Sequence, residues 1–521
     1  MAGSTDDVTG HLLATPEGIV IPIEAVAELD VAPGEKGLKK DALGFVSSCV
    51  IGIASTAPGY SLAATLGFLA LAVGVFTPAV LWVSFIPMLL VAVAYYYLNR
   101  ADPDCGTTFS WVTRAMGPQL GWIGGWAIVV ADVIVMANLA EIAGSYTFLL
   151  FGATHAAAST FWVTFVGVIW IVIMTAIVTV GIELSARTQW FLLAAEYTIL
   201  IIFAVVALVK VYTQSPPGSV HPAWSWFNPF HIPSLNALIA GVLLAIFIYW
   251  GWDSGVTVNE ETENSTHAPG VAAVVSTVFL VFIYELVGTA AISFAGVDAL
   301  GKHSDDALSF LGNEVFGSGF DKLLVLAVLT SAAASTQTTI LPTARTTLSM
   351  AKQGAAPRSL GRIHSRYKTP HISSILMGAF SILWYIVLTA YSTNVLGDSI
   401  ASLGLMIAFY LGLTGLACTV YYRHELFKSA KNFVLVGLAP LAGAVILGYV
   451  FVKECINLAN PANSASGNSW FGVGPPLVIA VAFLLLGLVL MALQWRANPA
   501  FFRRKPETAS PEVLEPAPVS G

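Results

Sequence analysis

FIYWGWDSGVTVNEETEN, residues 247–264, begins in greasy sequence and then sets an acid, Asp253, between two glycines and beside two tryptophans. Just upstream, LIAGVLLAIFIYW (238–250) carries no charge and reads as membrane. Gly251 and Gly255 loosen the helix where the carboxylate stands, and Asp253 and Ser254 are cap-forming residues. The stretch reads as a membrane helix that stops and restarts.

The whole chain has the composition of a polytopic membrane protein. Of its 521 residues 56% are hydrophobic and only 10% charged, with a mean hydropathy of +0.78; soluble domains are about a quarter charged. The net charge of -7 says little about partners. Cys49, Cys105, Cys418 and Cys455 show no CxxC spacing, which argues against a disulfide framework or a zinc site. The first 43 residues are mixed polar and acidic and do not read as a cleaved signal peptide.

A bilayer core needs about 20 mostly apolar residues per helix. Twelve runs qualify, near 44–68, 74–98, 119–151, 160–181, 188–212, 236–262, 270–296, 321–350, 372–391, 397–422, 433–453 and 474–495. With a cytoplasmic N-terminus, 19 of the 23 Lys and Arg fall on the inside, leaving Lys210, Lys302, Lys322 and Lys453 outside. The expected organisation is a cytoplasmic tail (1–43), helices 1–5 (44–212), helices 6–10 (236–422), helices 11–12 (433–495) and a disordered cytoplasmic tail (496–521) whose Pro-rich, acidic end lacks periodicity. NEETENSTHAPG (259–270) reads as a solvated inner loop.

A second break opens the first half. In IGIASTAPGY (51–60), Pro58 lacks an amide hydrogen and pushes Ala57 out of helical geometry, Gly52 and Gly59 add freedom, and Ser55 and Thr56 can cap a restart. Interrupted helices in matching positions point to a transporter built from inverted repeats. Irregular backbone at membrane depth survives where it is buried or lines a wet cavity. Freed amides at a half-helix N-terminus suit a carboxylate and freed carbonyls suit an ammonium, which together suit a zwitterion. The competing explanation is that such Gly and Pro only permit close helix packing.

Three stretches resemble the amino acid–polyamine–organocation (APC) permease superfamily, over roughly residues 40–495: TARTTLSMAKQGAAPRSLGRIHSRYKTPH (343–371), DCGTTFSWVTRAMGPQLGWIGGW (104–126) and FIYWGWDSGVTVNEET (247–262). The resemblance implies an all-α, LeuT-like fold of about 12 transmembrane helices, with 5+5 inverted repeats and broken helices 1 and 6. It implies a substrate carboxylate at Ser55, Thr56, Ala57 and Gly59, an amino group on the carbonyls of Tyr249, Trp250 and Gly251, and Phe247 as an aromatic gate. Where the family carries Gly-x-Gly in helix 1, this chain has Gly52-Ile53-Ala54.

Charges at bilayer depth cost several kcal/mol unless paired or solvated, so each is a functional candidate. Asp253 reads as a protonatable gate or as a plain N-cap of the second half-helix. Glu196 falls near the place where proton-coupled members of the family carry a lysine; as an acid it is a candidate to bind a proton or a cation. Asp132 and Glu141, nine residues apart on one helix, lie on opposed faces, so at most one faces the cavity. Glu183, Arg187 and Glu285 complete the set, and the hydroxyls of TSAAASTQTT (330–339) either line an ion site or bond back to their own helix.

No HExxH, GxSxG or GxxxxGK[ST] motif occurs, and the histidines fall in tails, loops or span edges, which argues against an enzyme or an ATP-driven pump. A channel or a sensor on a transporter scaffold is the other rival. The sequence leads to a multi-pass plasma-membrane permease that imports amino acids or related amines such as polyamines by alternating access. Proton symport is the expected mode, with sodium coupling or exchange as variants. No cofactor, metal or nucleic-acid partner is expected, and the chain works as a monomer or homodimer in the lipid bilayer.

Overall fold

Residue 57 shows how local chemistry sets the architecture. In the computed structural model, which describes residues 12–14, 20–22, 36–304, 306–317, 319–391, 395–464 and 466–509, helix α1 (Phe45–Ser55) ends and α2 (Pro58–Val73) restarts across Ala57, held left-handed at φ 46° and ψ 64°. A left-handed alanine costs about 1–2 kcal/mol and persists only where its surroundings dictate it. Pro58 forbids the helical alternative from the other side. The second break is built on glycine. Helix α8 (Leu235–Ile248) gives way to a turn over 249–253, and a one-turn helix α9 (Ser254–Thr257) resumes.

Gly251 has φ +118°, and a Cβ there would stand 2.7 Å from the carbonyl carbon and oxygen of Ser55. A Cβ on Gly255 would stand 2.5 Å from the Ser48 carbonyl oxygen. The two breaks therefore touch through backbone, and only glycine permits that approach.

Helix lies within each of the expected apolar runs, but the sixth, 236–262, is continuous helix only to Ile248 before the turn over 249–253. Among the described residues ten helical runs are long and apolar enough to cross a membrane; the first, Phe45–Ala101, takes in α1, α2 and α3 (Thr77–Ala101), and Leu235–Ile248 is a shorter apolar helix besides. The other helices that position the site are α4 (Thr108–Met116), α5 (Pro118–Leu150), α6 (Thr160–Val180), α7 (Ile182–Gln214), α10 (Ala268–Lys302), α11 (Ala307–Phe316), α12 (Lys322–Lys352), α13 (His371–Tyr391), α14 (Val395–Tyr421), α15 (Ala439–Leu458) and α16 (Pro475–Ala497).

Burial sorts the bundle. The most apolar stretch of α12 is 89% buried, against 22% for α16 and 28% for α6, so α12 is the central post and the other two are peripheral staves. It packs along α5 and α7, while α10 lies on α2 and α3 and α14 lies on α15. The four cysteines are free.

The C-terminal expectation needs correction. Short helix α17 (Pro499–Phe502) follows α16 and buries Phe501 and Phe502 in a cluster with Phe109, Trp122, Met350 and Ala355. The chain is then tied down by the Glu507 amide donating to the Arg114 carbonyl at 2.7 Å and the Ala509 amide donating to that of Tyr421 at 3.0 Å. Two adjacent phenylalanines offset the polar composition of the segment around them. Residues 510–521, and most of the expected N-terminal tail, lie outside the described residues.

Candidate functional site

The breaks of α1/α2 and α8/α9 meet at the centre of the bundle. Ser55 Oγ and Ser254 Oγ are 2.8 Å apart. The orphan groups of the first break are taken by side chains from the helices around it. The amide of Gly59 donates to Glu196 Oε1 on α7 at 2.7 Å, and the amide of Tyr60 donates to Ser331 Oγ on α12 at 3.1 Å. Ser335 Oγ donates to the Ser55 carbonyl at 2.9 Å, and Ser61 Oγ to the Thr56 carbonyl at 2.7 Å. On the second break, the Tyr284 hydroxyl donates to the Ile248 carbonyl at 2.5 Å.

The freed amide of Gly59, anticipated as a seat for a substrate carboxylate, holds the carboxylate of Glu196 instead. A half-helix N-terminus attracts whichever anion is near, and α7 brings one with it. Glu196 is wholly buried, and its other oxygen, Oε2, has no hydrogen-bond partner among the described residues. Ser331 and Ser335 bond across to the first break, whereas Thr330, Thr336 and Thr338 bond back to carbonyls of their own helix.

Asp253 does not cap α9 with its side chain. Its Oδ2 accepts from the Tyr410 hydroxyl on α14 at 2.8 Å, with the Tyr95 hydroxyl of α3 at 3.5 Å. Trp250 Nε1 donates to the same Tyr410 oxygen at 2.5 Å, so Trp250, Tyr410 and Asp253 form a chain from the turn to the acid. The plain N-cap reading of Asp253 falls, because the carboxylate turns from its own helix toward α14. Phe247 packs edge-on against Tyr60, ring centroids 6.2 Å apart, and so bridges the two broken helices. Tyr249 packs edge-on against Tyr284 at 5.1 Å.

Asp132 lies apart from the breaks. Its Oδ2 accepts from Thr343 Oγ1 on α12 at 2.6 Å, within electrostatic reach of Asp253. Glu141 lies within electrostatic reach of Tyr60 instead, with no hydrogen bond between them. Ser55, Thr56, Ala57, Gly59, Glu196, Phe247, Tyr249, Trp250, Gly251 and Asp253 are thus gathered around the breaks, while Asp132 is a neighbour at one remove.

A second constellation, at the end of the bundle where most basic residues collect, was not legible in advance. Lys36 Nζ lies 2.8 Å from Asp104 Oδ2 and 2.5 Å from Glu260 Oε1, all three buried. Asp104 Oδ1 also accepts from the Gly106 amide and from Ser110 and Ser349 hydroxyls at 2.7, 2.8 and 2.7 Å. Next to it Arg345 and Glu261, both wholly buried, make a two-pronged pair at 2.7 and 3.1 Å. The Ala42 and Leu43 amides donate to the Glu261 carbonyl at 2.9 and 3.0 Å. Asn259, Glu260, Glu261 and Thr262 are therefore interior, and the expectation of a solvated loop holds only for 263–268. Their charges are tolerated because each has an opposite charge in contact.

Burial alone would lower the pKa of the Lys36 ammonium; Asp104 above all, with Glu260, outweighs it and holds the group well above the usual lysine range. Burial likewise works against ionised Asp104, and Lys36 overcomes it, holding the carboxyl down at about 2. Ligand atoms of Asp104, Cys105 and Glu260 lie within 4.8 Å of one another, the spacing of a metal centre. Lys36 supplies a cation to this cluster from within the chain. Exposed Glu183, flagged in the sequence, pairs with Lys39 at 2.7 Å.

Comparison with known proteins agrees with this architecture. A family model described as amino acid permease matches residues 43–484. Among curated proteins, a methylthioribose transporter of Bacillus subtilis is 24% identical over 305 residues, 56% of this chain and 62% of that protein. The low-affinity putrescine importer PlaP of Escherichia coli is 20% identical over 384 residues, covering 71% of this chain and 79% of the importer. The branched-chain amino acid permease BcaP of Bacillus subtilis is 22% identical over 384 residues, covering 70% and 79%. All three are transporters and none is an enzyme. With a helical bundle suited to crossing a membrane many times and a family match over most of its length, the chain belongs to the amino acid permease family of the APC superfamily.

Proposed function

We propose that this chain is a secondary transporter that imports amino acids or related amines across the plasma membrane by alternating access, driven by protons. The observation that carries the reading is the apposition of the two breaks: Ser55 and Ser254 in hydrogen-bond contact, Gly251 against the Ser55 carbonyl, and a buried acid at each break. The irregular turn over 249–251 lies outside regular helix, and its backbone carbonyls offer acceptors to an ammonium group, the feature that an amino acid and putrescine share. The names of two relatives, a branched-chain amino acid permease and a putrescine importer, fit that common denominator. In this reading helices 1–5 and 6–10 are inverted repeats that rock about the breaks, both chain termini are cytoplasmic, and the ion-pair cluster around Lys36 is the closed inner side.

Glu196 gives the coupling a physical form. An ionised carboxylate holds a backbone amide about twice as strongly as a neutral acceptor does. Proton binding at Glu196 therefore loosens its grip on Gly59 and frees α2 to move, and proton loss restores it. Asp253 plays the matching part at the second break, where its bond to Tyr410 ties α9 to α14.

Reconstitution into liposomes with radiolabelled amino acids and polyamines, under imposed pH and sodium gradients, tests this. Saturable uptake accelerated by an inward proton gradient is expected. Flux that rises linearly with concentration would point to a channel, and uptake indifferent to the proton gradient would remove the coupling assignment.

A further inference from the structure

Away from the two breaks, toward the end of the bundle opposite Lys36, lies a cavity of about 700 Å³ between α2, α8, α14 and α15. Its walls are mainly apolar, with Phe68, Leu243 and Ile400 among them. Its lining includes Ile246, the residue before Phe247. Glu454, a residue only 9% exposed, is also in its lining.

This carboxylate is under-supplied. Its contact with Asn457 Nδ2 is long, at 3.4 Å, and it has no ion pair among the described residues. Neighbouring Lys453, which also lines the cavity, lies 5.8 Å from the centroid of the Tyr449 ring and makes no ion pair with Glu454. A mostly buried anion beside an apolar chamber calls for a cation that arrives with an apolar body of its own. An inorganic cation would leave the walls unsatisfied, and a neutral lipid tail would leave the carboxylate so. The geometry points to a second binding site, separate from the breaks, for a primary amine carrying a hydrophobic group, its ammonium on Glu454 and its apolar part against Phe68, Leu243 and Ile400.

Gly404 provides an independent handle on the site. It lines the cavity, and a Cβ built on it meets nothing within 4 Å, so a larger side chain there fills the chamber without a backbone clash.

The test is equilibrium binding of radiolabelled 2-phenylethylamine to the full-length protein in nanodiscs, with unlabelled 2-phenylethanol, the neutral isostere, as competitor. Saturable binding of the amine is expected, with the alcohol weaker by about tenfold or more, the scale of a charge-assisted hydrogen bond. Glu454→Gln should remove that preference, and Gly404→Leu should abolish binding of both. Ser55→Ala, at the first break, should change the amine's affinity by less than about twofold. If Glu454→Gln does not fold, Glu454→Asp together with Gly404→Leu decides the matter, since Asp keeps the charge. Absence of saturable binding, an amine affinity unmoved by both Glu454→Gln and Gly404→Leu, or loss of binding in Ser55→Ala alone would overturn the assignment. Transport through the central breaks would stand in any of these cases.

Discussion

Two tyrosine hydroxyls, one at 2.8 Å and one at 3.5 Å, face a single buried carboxylate at Asp253. The shorter contact carries most of the interaction, because hydrogen bonds weaken steeply with length. Tyr410→Phe should therefore slow gradient-driven uptake by about tenfold, the scale of one hydrogen bond to a charged group. Tyr95→Phe should do much less, and equal losses in the two variants would argue against the geometry. Asp253→Asn should abolish gradient-driven uptake while substrate binding largely survives; full uptake would take Asp253 out of coupling. Glu196 is separable in the same way. Glu196→Gln keeps an oxygen for the Gly59 amide and should leave thermal stability near wild type while uncoupling transport from the proton gradient. Glu196→Ala strands that buried amide and should lower stability by about 1–3 kcal/mol, read from chemical unfolding monitored by tryptophan fluorescence. The sequence had singled out both acids, as rare charges in apolar runs. Their tyrosine partners Tyr410 and Tyr95 carried no local mark, since a tyrosine in a membrane helix has many uses, and Gly59 was marked as part of the break but not as the partner of an acid.

Among elements, the breaks were the most legible feature and their function the least. Pro58 and the glycines around Asp253 act on their own and adjacent residues, so the interruptions follow from short-range sterics. That α1 and α8 stop at the same depth and touch is a matter of packing. Gly251→Ala tests the contact: its Cβ would enter the Ser55 carbonyl at a φ that alanine rarely adopts. The expected result is a folded but inactive protein, with lowered thermal stability. Wild-type uptake by this variant would show that the breaks need not touch. The C-terminal segment teaches the converse lesson. Composition argued for a tail, but Phe501 and Phe502 anchor residues 499–509 to α4, α5 and α12 through packing that polarity does not reveal.

At the scale of the molecule, Lys36 gathers three distant parts of the chain: the approach to α1, the loop after α3 and the stretch after α9. Lys36→Met leaves Asp104 and Glu260 buried without their cation, a change that costs about 3–5 kcal/mol in comparable sites. A marked fall in the unfolding midpoint is expected, and an unchanged one would show that water enters freely. The same region gives a pH dependence. Burial, with repulsion from Asp104, pushes Asp102 up to about 7, against attraction from Arg114. A raised acid stabilises the fold while it keeps its proton, so this contribution is full below its unfolded pKa near 4 and is lost as pH climbs through about 7. Asp104, held down at about 2, acts oppositely: its contribution is present above pH 4 and vanishes as pH falls toward 2. Between pH 5 and 8 the melting temperature should therefore fall, and Asp102→Asn should flatten that slope; an equal slope in both proteins would assign it to other groups.

From the sequence alone came the membrane-crossing helices, the two interruptions and the list of buried acids. All three depend on interactions within a few residues: apolar run length, a missing amide hydrogen, a charge in greasy surroundings. Which group satisfies which was decided only by the tertiary structure. Glu196 meets Gly59 across 137 positions, and Lys36 meets Glu260 across 224. Desolvation demands a partner for every buried charge, but a choice made between residues so far apart along the chain leaves no periodic or local trace to be read.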